Sequence, residues 1–282
     1  PGGCVAGWDA FVSKLNPDGS ALVYSTYFGG NDKDQANGIA VDSQGRASIT
    51  GFTRSANLPT TGFPLSAYKG ASDAFIARFS PSGWLDYSTF FGGSDYDEGT
   101  AIAVDAAGAL YTTGFTASMD FPTANAFQPT FHGGEDAFVL KLAIDPGGAT
   151  AVVGYSSYLG GGESERSHAI AVDTSGYAYV AGSTTSLDFP LQLATQPMLK
   201  GPSDAFVARI APGGSLSYST FLGGTDEDEA FGIALSNGHV KTAATIYVTG
   251  VTSSTDLSTP GVFQRLPRGG VDAFVAKIGY VP

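Results

Sequence analysis

The chain has 282 residues, a formal net charge of −12 and a sequence pI near 4.4. With 14 Lys and Arg among 26 acidic residues it has no basic stripe to neutralise phosphates, which argues against a nucleic-acid binder. One cysteine, Cys4, rules out an internal disulfide, and no apolar run approaches the ~18 residues of a membrane span.

In chain order, the first motif is Asp-Ala-Phe at Asp9, which returns at Asp73, Asp136, Asp204 and Asp272, at steps of 64, 63, 68 and 68 residues. A fixed long period marks stacked copies of one supersecondary unit. Each period holds four apolar runs, here called a to d. Run a is Ile39–Asp42, with copies at Ile102, Ile170 and Ile233. Run b is Ser48–Thr53, with copies starting at Tyr111, Tyr179 and Tyr247. Run c is the Asp-Ala-Phe run, and run d is Tyr24–Gly30, echoed at Tyr87, Tyr155 and Tyr218. All are short, β-branched or aromatic, and bounded by Gly, Pro, Asn or Asp, which predicts strands. The a–b links (Asp42–Gly45, Asp105–Gly108, Asp173–Gly176) and the c–d links (Asn16–Gly19 and relatives) predict tight turns. Four antiparallel strands per repeat make a propeller blade. The expected fold is an all-β β-propeller of four four-stranded blades from ~63–68-residue repeats, plus a spare N-terminal strand. The repeats are placed at 31–92, 93–160, 161–223 and 224–282, with residues 1–30 supplying c and d strands that complete a blade in cis or in trans.

The Tyr-Ser-Thr-Tyr-Phe-Gly-Gly block at Tyr24, the Gly-Ile-Ala-Val-Asp block at Gly38, the Val-Thr-Gly-x-Thr block at Val248 and the Asp-Ala-Phe-Val-x-Lys block at Asp272 resemble the secreted bacterial β-propeller repeats known as SBBP repeats. The resemblance implies an exported propeller, extracellular or at the cell surface. It implies no settled activity and no cofactor.

The strand order is c-d, then a-b-c-d three times, then a-b-c: seventeen strands, where four blades need sixteen. Propeller closure would lend the first d strand to the last blade and leave one c strand without a slot. The chain is then cut from something longer, or the spare strand is an ordinary edge, or copies complete each other's blades. Unpaired edges are templates for pairing, and head-to-tail donation builds a filament. The residues expected to carry such assembly are Asp9, Phe11, Val12, Leu15, Tyr24, Tyr27 and Phe28 at one end and Asp272, Phe274, Val275 and Ile278 at the other. The expected partner is therefore another copy of this chain; other surface proteins or glycans are the alternative.

Antiparallel meanders put the b–c and d–a links on one face. The b–c loops run ~20 residues, well above ordinary hairpin length. Their aromatics Phe121, Phe127, Phe189 and Phe263 read as anchors tying each loop to its blade, or as a sugar- or protein-binding surface. The d–a links are acidic. Asp95, Asp97, Asp226 and Asp228 read as turn formers bonding local amides, or as Ca²⁺ ligands, although the spacing is not that of a twelve-residue calcium loop. The basic residue five positions after each c-strand Asp (Lys14, Arg78, Lys141, Arg209, Lys277) is expected to snorkel from the strand's end, to water or to a neighbouring carboxylate.

Catalytic signatures are missing: there is no Gly-x-Ser-x-Gly, phosphate loop or His-Glu-x-x-His, and His132, His168 and His239 fall in different repeats. A residue present in every copy is architectural, so the chain reads as a non-catalytic scaffold. Two departures stand out on the other face. The third c–d link is longer than its relatives, with 14 steps from Lys141 to Tyr155 against 10 from Lys14 to Tyr24. The fourth a–b link, through Asn237–Thr242, is longer as well.

Overall fold

A computed structural model describes residues 7–62, 65–236 and 244–279. Among them there are seventeen β-strands and no helix. The strands are β1 (Ala10–Leu15), β2 (Leu22–Phe28), β3 (Asp34–Val41), β4 (Ala47–Thr53), β5 (Asp73–Phe79), β6 (Leu85–Phe91), β7 (Asp97–Val104), β8 (Leu110–Thr116), β9 (Asp136–Ile144), β10 (Ala151–Leu159), β11 (Glu165–Val172), β12 (Ala178–Thr184), β13 (Asp204–Ile210), β14 (Leu216–Leu222), β15 (Asp228–Ser236), β16 (Thr245–Thr252) and β17 (Asp272–Ile278). They form three four-stranded antiparallel meanders, β3–β6, β7–β10 and β11–β14, a three-stranded sheet β15–β17 and a two-stranded sheet β1–β2. The a-b-c-d order read from the repeats is thus the order of the sheets.

The chain divides into two compact units. One holds Pro1–Thr112, Thr116–Pro122 and Lys141–Gly154; the other holds Thr113–Phe115, Thr123–Leu140 and Tyr155–Pro282. In the first unit β7 packs on β3, β4 and β5. In the second, β15 packs in the same way on β11, β12 and β13. In each unit, then, an a strand lies against the face of the preceding sheet. That explains the runs of adjacent apolar residues: every residue of β5 and β13 is buried.

The tight links behave as their residues dictate. Asp42 accepts hydrogen bonds from the Gln44 and Arg46 amides at 2.9 Å each, and Gly45 sits at φ 77°. The lengthened third c–d link does not form a projecting loop. Its extra residues extend β9 and β10 to nine residues each. The lengthened fourth a–b link lies outside the described residues, as do His239 and Cys4.

Two expectations need correction. The first d strand is not lent to the last sheet: β2 pairs along its length with β1, from Phe28 against Ala10 to Tyr24 against Lys14. Phe28 is buried against Phe75 and Phe79 at ring distances of 5.3 and 5.7 Å, which holds this hairpin in the first unit. The basic residues do not snorkel as a class either. Arg78 is 1% exposed and donates to the Asp145 carbonyl at 2.9 Å, with the Asp86 carboxylate at 3.9 Å. Arg209 is buried over the Tyr177 ring at 4.2 Å, and Lys141 and Lys277 sit over Tyr111 and Tyr247 at 5.2 and 5.7 Å. For Arg209 the ring face takes the place of water, while Lys277 remains exposed.

Candidate functional site

Each repeat builds the same joint where its d–a link meets its b–c loop. In the second repeat, Asp97 at the start of β7 is fully buried, accepting from the Gly93 amide at 2.7 Å and the Ser118 hydroxyl at 2.9 Å. The link is clamped again by Ser94 N–H to Asp120 (2.7 Å) and Asp95 N–H to Ser118 (2.8 Å). Glu165 with Ser186 and Asp188, and Asp228 with Ser254 and Asp256, repeat the arrangement in the second unit. Asp34 with Ser55 and Asn57 repeats it in the first.

The c-strand aspartate faces this buried acid across the first glycine of the Gly-Gly pair. A Cβ on Gly160 would lie 2.5 Å from Asp136 Oδ1 and 2.6 Å from Glu165 Oε2. Only glycine lets the chain pass between two carboxyl groups this close. Burial, with Glu165 adding to it, pushes Asp136 up to about 8. Burial likewise pushes Asp97 up to about 6, with Asp73 contributing, and raises Asp73, Glu165 and Asp204.

These joints settle where the acidic candidates sit. Asp97 and Asp228 point inward as caps, while Asp95 and Asp226 are exposed, with Asp95 accepting from the Tyr96 amide at 3.0 Å. Among the described residues no group of three or more His, Cys, Asp or Glu gathers as a metal site. Asp97 and Asp228 are engaged by backbone amides and serine hydroxyls in their separate links. Of the loop aromatics, Phe121 and Phe189 are buried and pack against Phe91 and Phe206, each at 4.8 Å, as an anchor would. Phe127 is half-buried, and Phe263 is fully exposed.

The b–c loops also cover sheet edges. Thr61 exchanges backbone hydrogen bonds with Ser88 of β6, Ala124 with Ser156 of β10, and Gln192 with Ser219 of β14. Gln128 then bridges the c and d strands: its amide donates to Asp136 at 3.0 Å and its carbonyl accepts from Gly160 N–H at 3.0 Å. Gln196 does the same for Asp204 and Gly223, at 2.6 and 3.1 Å. Both glutamines stand eight residues before their aspartates, and Gln264 stands eight before Asp272. Gln264 is exposed, and its sheet has no d strand for it to bridge to.

The assembly candidates gather at these two incomplete sheets. On the β1–β2 hairpin Val12 and Phe28 are buried, while Phe11, Leu15 and Tyr27 are exposed, Tyr27 by 81%. Tyr24 is half-buried, and Asp9 is exposed. On β17 Phe274 is buried, Val275 is 79% exposed, Asp272 and Ile278 are half-buried, and Asp272 caps the Arg268 and Gly269 amides at 3.0 Å. Among the described residues a b–c-loop cover runs along β6, β10 and β14. Sequence reasoning named these edges; it missed Gln264 and the serine clamps, although both recur at fixed offsets.

Residues 23–59 and 154–190 match the SBBP family, described as a beta-propeller repeat. The matched segments each span a d strand, the d–a link, the a and b strands and the start of the b–c loop, so the SBBP repeat includes the Gly-Gly passage and its buried cap. The chain is also similar to Regulatory protein FlaEY of Caulobacter vibrioides (strain ATCC 19089 / CIP 103742 / CB 15), at 24% identity over 287 residues, covering 95% of this chain and 28% of that protein. This chain therefore corresponds to under a third of that relative's length.

Proposed function

We propose that this chain is a non-catalytic, exported four-bladed propeller scaffold whose copies assemble by β-strand complementation into a surface or extracellular structure. One observation carries the reading: the β1–β2 hairpin and β17 present strand edges on which Phe11, Tyr27 and Val275 are exposed. Exposed edges of this kind recruit strands. The exposed Gln264 gives the terminal sheet the residue that elsewhere bridges to a d strand. The repeated acids, each matched by equivalents in other repeats, and the printed name of the relative, a regulatory protein, support a non-catalytic role. Its resemblance to secreted propeller repeats supports an address outside the cell.

Light scattering after size exclusion tests the reading. The full chain is expected to give concentration-dependent oligomers, and a chain lacking residues 1–30 a monomer. Gln264→Ala is expected to weaken assembly while leaving the monomer's melting unchanged. A full chain that stays monomeric at every concentration contradicts the reading. That outcome favours the second reading, a binding module for proteins or glycans. Its support is the exposed apolar set on the b–c loops: Met119, Leu187, Met198 and Phe263.

A further inference from the structure

Apart from the strand edges at which copies meet, the geometry points to a docking surface for a different protein: the third b–c loop, residues 185–203, takes a basic, apolar segment through Leu187, Leu193 and Met198.

Leu193 singles this loop out. Seven positions after each clamp serine the backbone turns left-handed: Gly62 at φ 81°, Asn125 at 47°, Leu193 at 52° and Gly261 at 86°. Glycine has no Cβ to clash there, and asparagine tolerates the region. Three repeats use those residues. The third uses leucine, whose Cβ meets the neighbouring carbonyl in this conformation. Packing does not offset the strain, since Leu193 is 62% exposed. Glycine would hold the same turn with less strain and leave less apolar surface in water. A strained residue that the turn does not require points to a use outside the fold.

Two more apolar side chains of the loop are exposed, Leu187 by 81% and Met198 by 71%. All three stand on a backbone that is fixed at many points. Phe189 is buried and packs against Phe206 and Phe221, at 4.8 and 5.8 Å. Gln192, the residue before Leu193, exchanges backbone hydrogen bonds with Ser219 of β14 at 3.3 and 2.8 Å. The backbone N–H of Gln196 donates to Thr220 Oγ1 at 2.8 Å, and its side chain donates to the Met198 carbonyl at 3.0 Å. The Lys200 and Gly201 backbone amides tie the end of the loop to Asp204, at 3.1 and 3.0 Å. A preset backbone lowers the entropy lost when a partner binds. Methionine adds a contact surface that adapts to its partner.

Charge selects the partner. One d–a link is tied to the start of the loop by Gly162 N–H to Asp188 and Glu163 N–H to Ser186, at 2.8 Å each. The next is tied to its end by Asp228 N–H to the Ser203 carbonyl at 2.9 Å. Glu163 and Asp188 are exposed at the first junction, and Asp226 and Glu227 beside the second. The nearby cations are engaged: Lys200 donates to the Gly223 carbonyl at 3.3 Å, and Arg166 makes a two-pronged bond to Glu135 at 2.6 and 2.8 Å. A segment that sets apolar side chains between Lys or Arg residues complements this surface. An anionic lipid surface would meet four carboxylates of its own sign. A second copy brings the same acids and a net charge of −12. Glycan sites are rich in aromatic faces, and the loop's one aromatic, Phe189, is buried.

Synthetic peptides test the surface. Two amphipathic peptides of equal length, one of Leu and Lys and one of Leu and Glu, are titrated into the full chain and followed by fluorescence anisotropy at low and high salt. The Leu/Lys peptide is expected to bind about tenfold or more tighter than the Leu/Glu peptide, and less tightly as salt rises. Leu193→Gly is expected to weaken that binding about tenfold while leaving the melting temperature unchanged or higher. Met198→Ser is expected to weaken it as well. A melting temperature that falls in Leu193→Gly shows the leucine serving the fold and overturns the proposal. So does a Leu/Lys peptide that fails to bind, or that wild type and Leu193→Gly bind equally, which is charge attraction alone. Light scattering of Leu193→Gly is expected to match wild type, so this surface and the assembly of copies stand or fall separately.

Discussion

The melting temperature of this chain is expected to fall by roughly 5 °C or more as the pH is raised from about 5 to about 9. The cause is the set of buried acids beside the Gly-Gly passages. Burial raises Asp97 to about 6, and burial together with Glu165 raises Asp136 to about 8. In the unfolded chain these groups release their protons near pH 4. Between about pH 4 and pH 8 the folded chain therefore holds more protons than the unfolded one, and stability declines as the pH rises through that window. Their contribution is complete below the unfolded value and gone above the folded one. Asp120, Asp145 and Asp256 run the other way, held low by hydrogen bonds from Ser94, Thr150 and Thr225, and they withdraw stability only as the pH falls through the acid range. His168 also opposes the trend: burial lowers it despite Glu229 at 2.7 Å, so its contribution grows as the pH rises through about 6.5. Several acids against one histidine place the optimum between about pH 4 and pH 6. Asp136→Asn is expected to flatten the limb between about pH 6 and pH 8, measured by thermal denaturation in matched ionic strength. A melting temperature that climbs steadily to pH 8 in both chains would contradict the shared burial of these carboxyls.

The second large effect separates two aspartates that are two residues apart. Asp97→Ala is expected to cost about 3 kcal/mol near neutral pH, read as a lower urea midpoint at unchanged slope. The substitution strips the acceptor from the Gly93 amide and the Ser118 hydroxyl, and buried donors left without partners cost about 1–3 kcal/mol each. Asp95→Ala is expected to cost under about 0.5 kcal/mol, because its exposed carboxylate serves only the neighbouring Tyr96 amide. Equal effects at the two positions, or a midpoint that rises on adding Ca²⁺ to wild type and not to either variant, would support the cation reading of these links.

The contrast between Asp95 and Asp97 also marks how far the sequence could be read. Strand grammar, turn chemistry and the Asp-Ala-Phe period locate all four runs, because they depend on residues within a few positions of each other. The ladder ends are less legible: run a was read from Ile39, yet β3 begins at Asp34, which already pairs with Thr53 of β4. Which acid of a link turns inward depends on a serine 21 residues away, as Ser118 is from Asp97, and neither residue signals the other by local pattern. The repeat could have supplied that signal, through Ser55, Ser118, Ser186 and Ser254 at one offset and Gln128, Gln196 and Gln264 at another. Arg78 is a different case. Its place against the Asp145 carbonyl, 67 residues on, exists only once the sheets are packed, so snorkelling was the natural expectation for a charged strand end.

The central claim is that copies of this chain meet at the two incomplete sheets. Hydrogen–deuterium exchange read by mass spectrometry, on dilute monomer and on the concentrated oligomer, tests it most directly. The account predicts new protection in peptides covering β1, β2 and β17, and no change across β5–β6 or β13–β14. Protection that appears instead on the b–c loops around Met119, Leu187 and Met198, with the terminal strands unchanged, would contradict it.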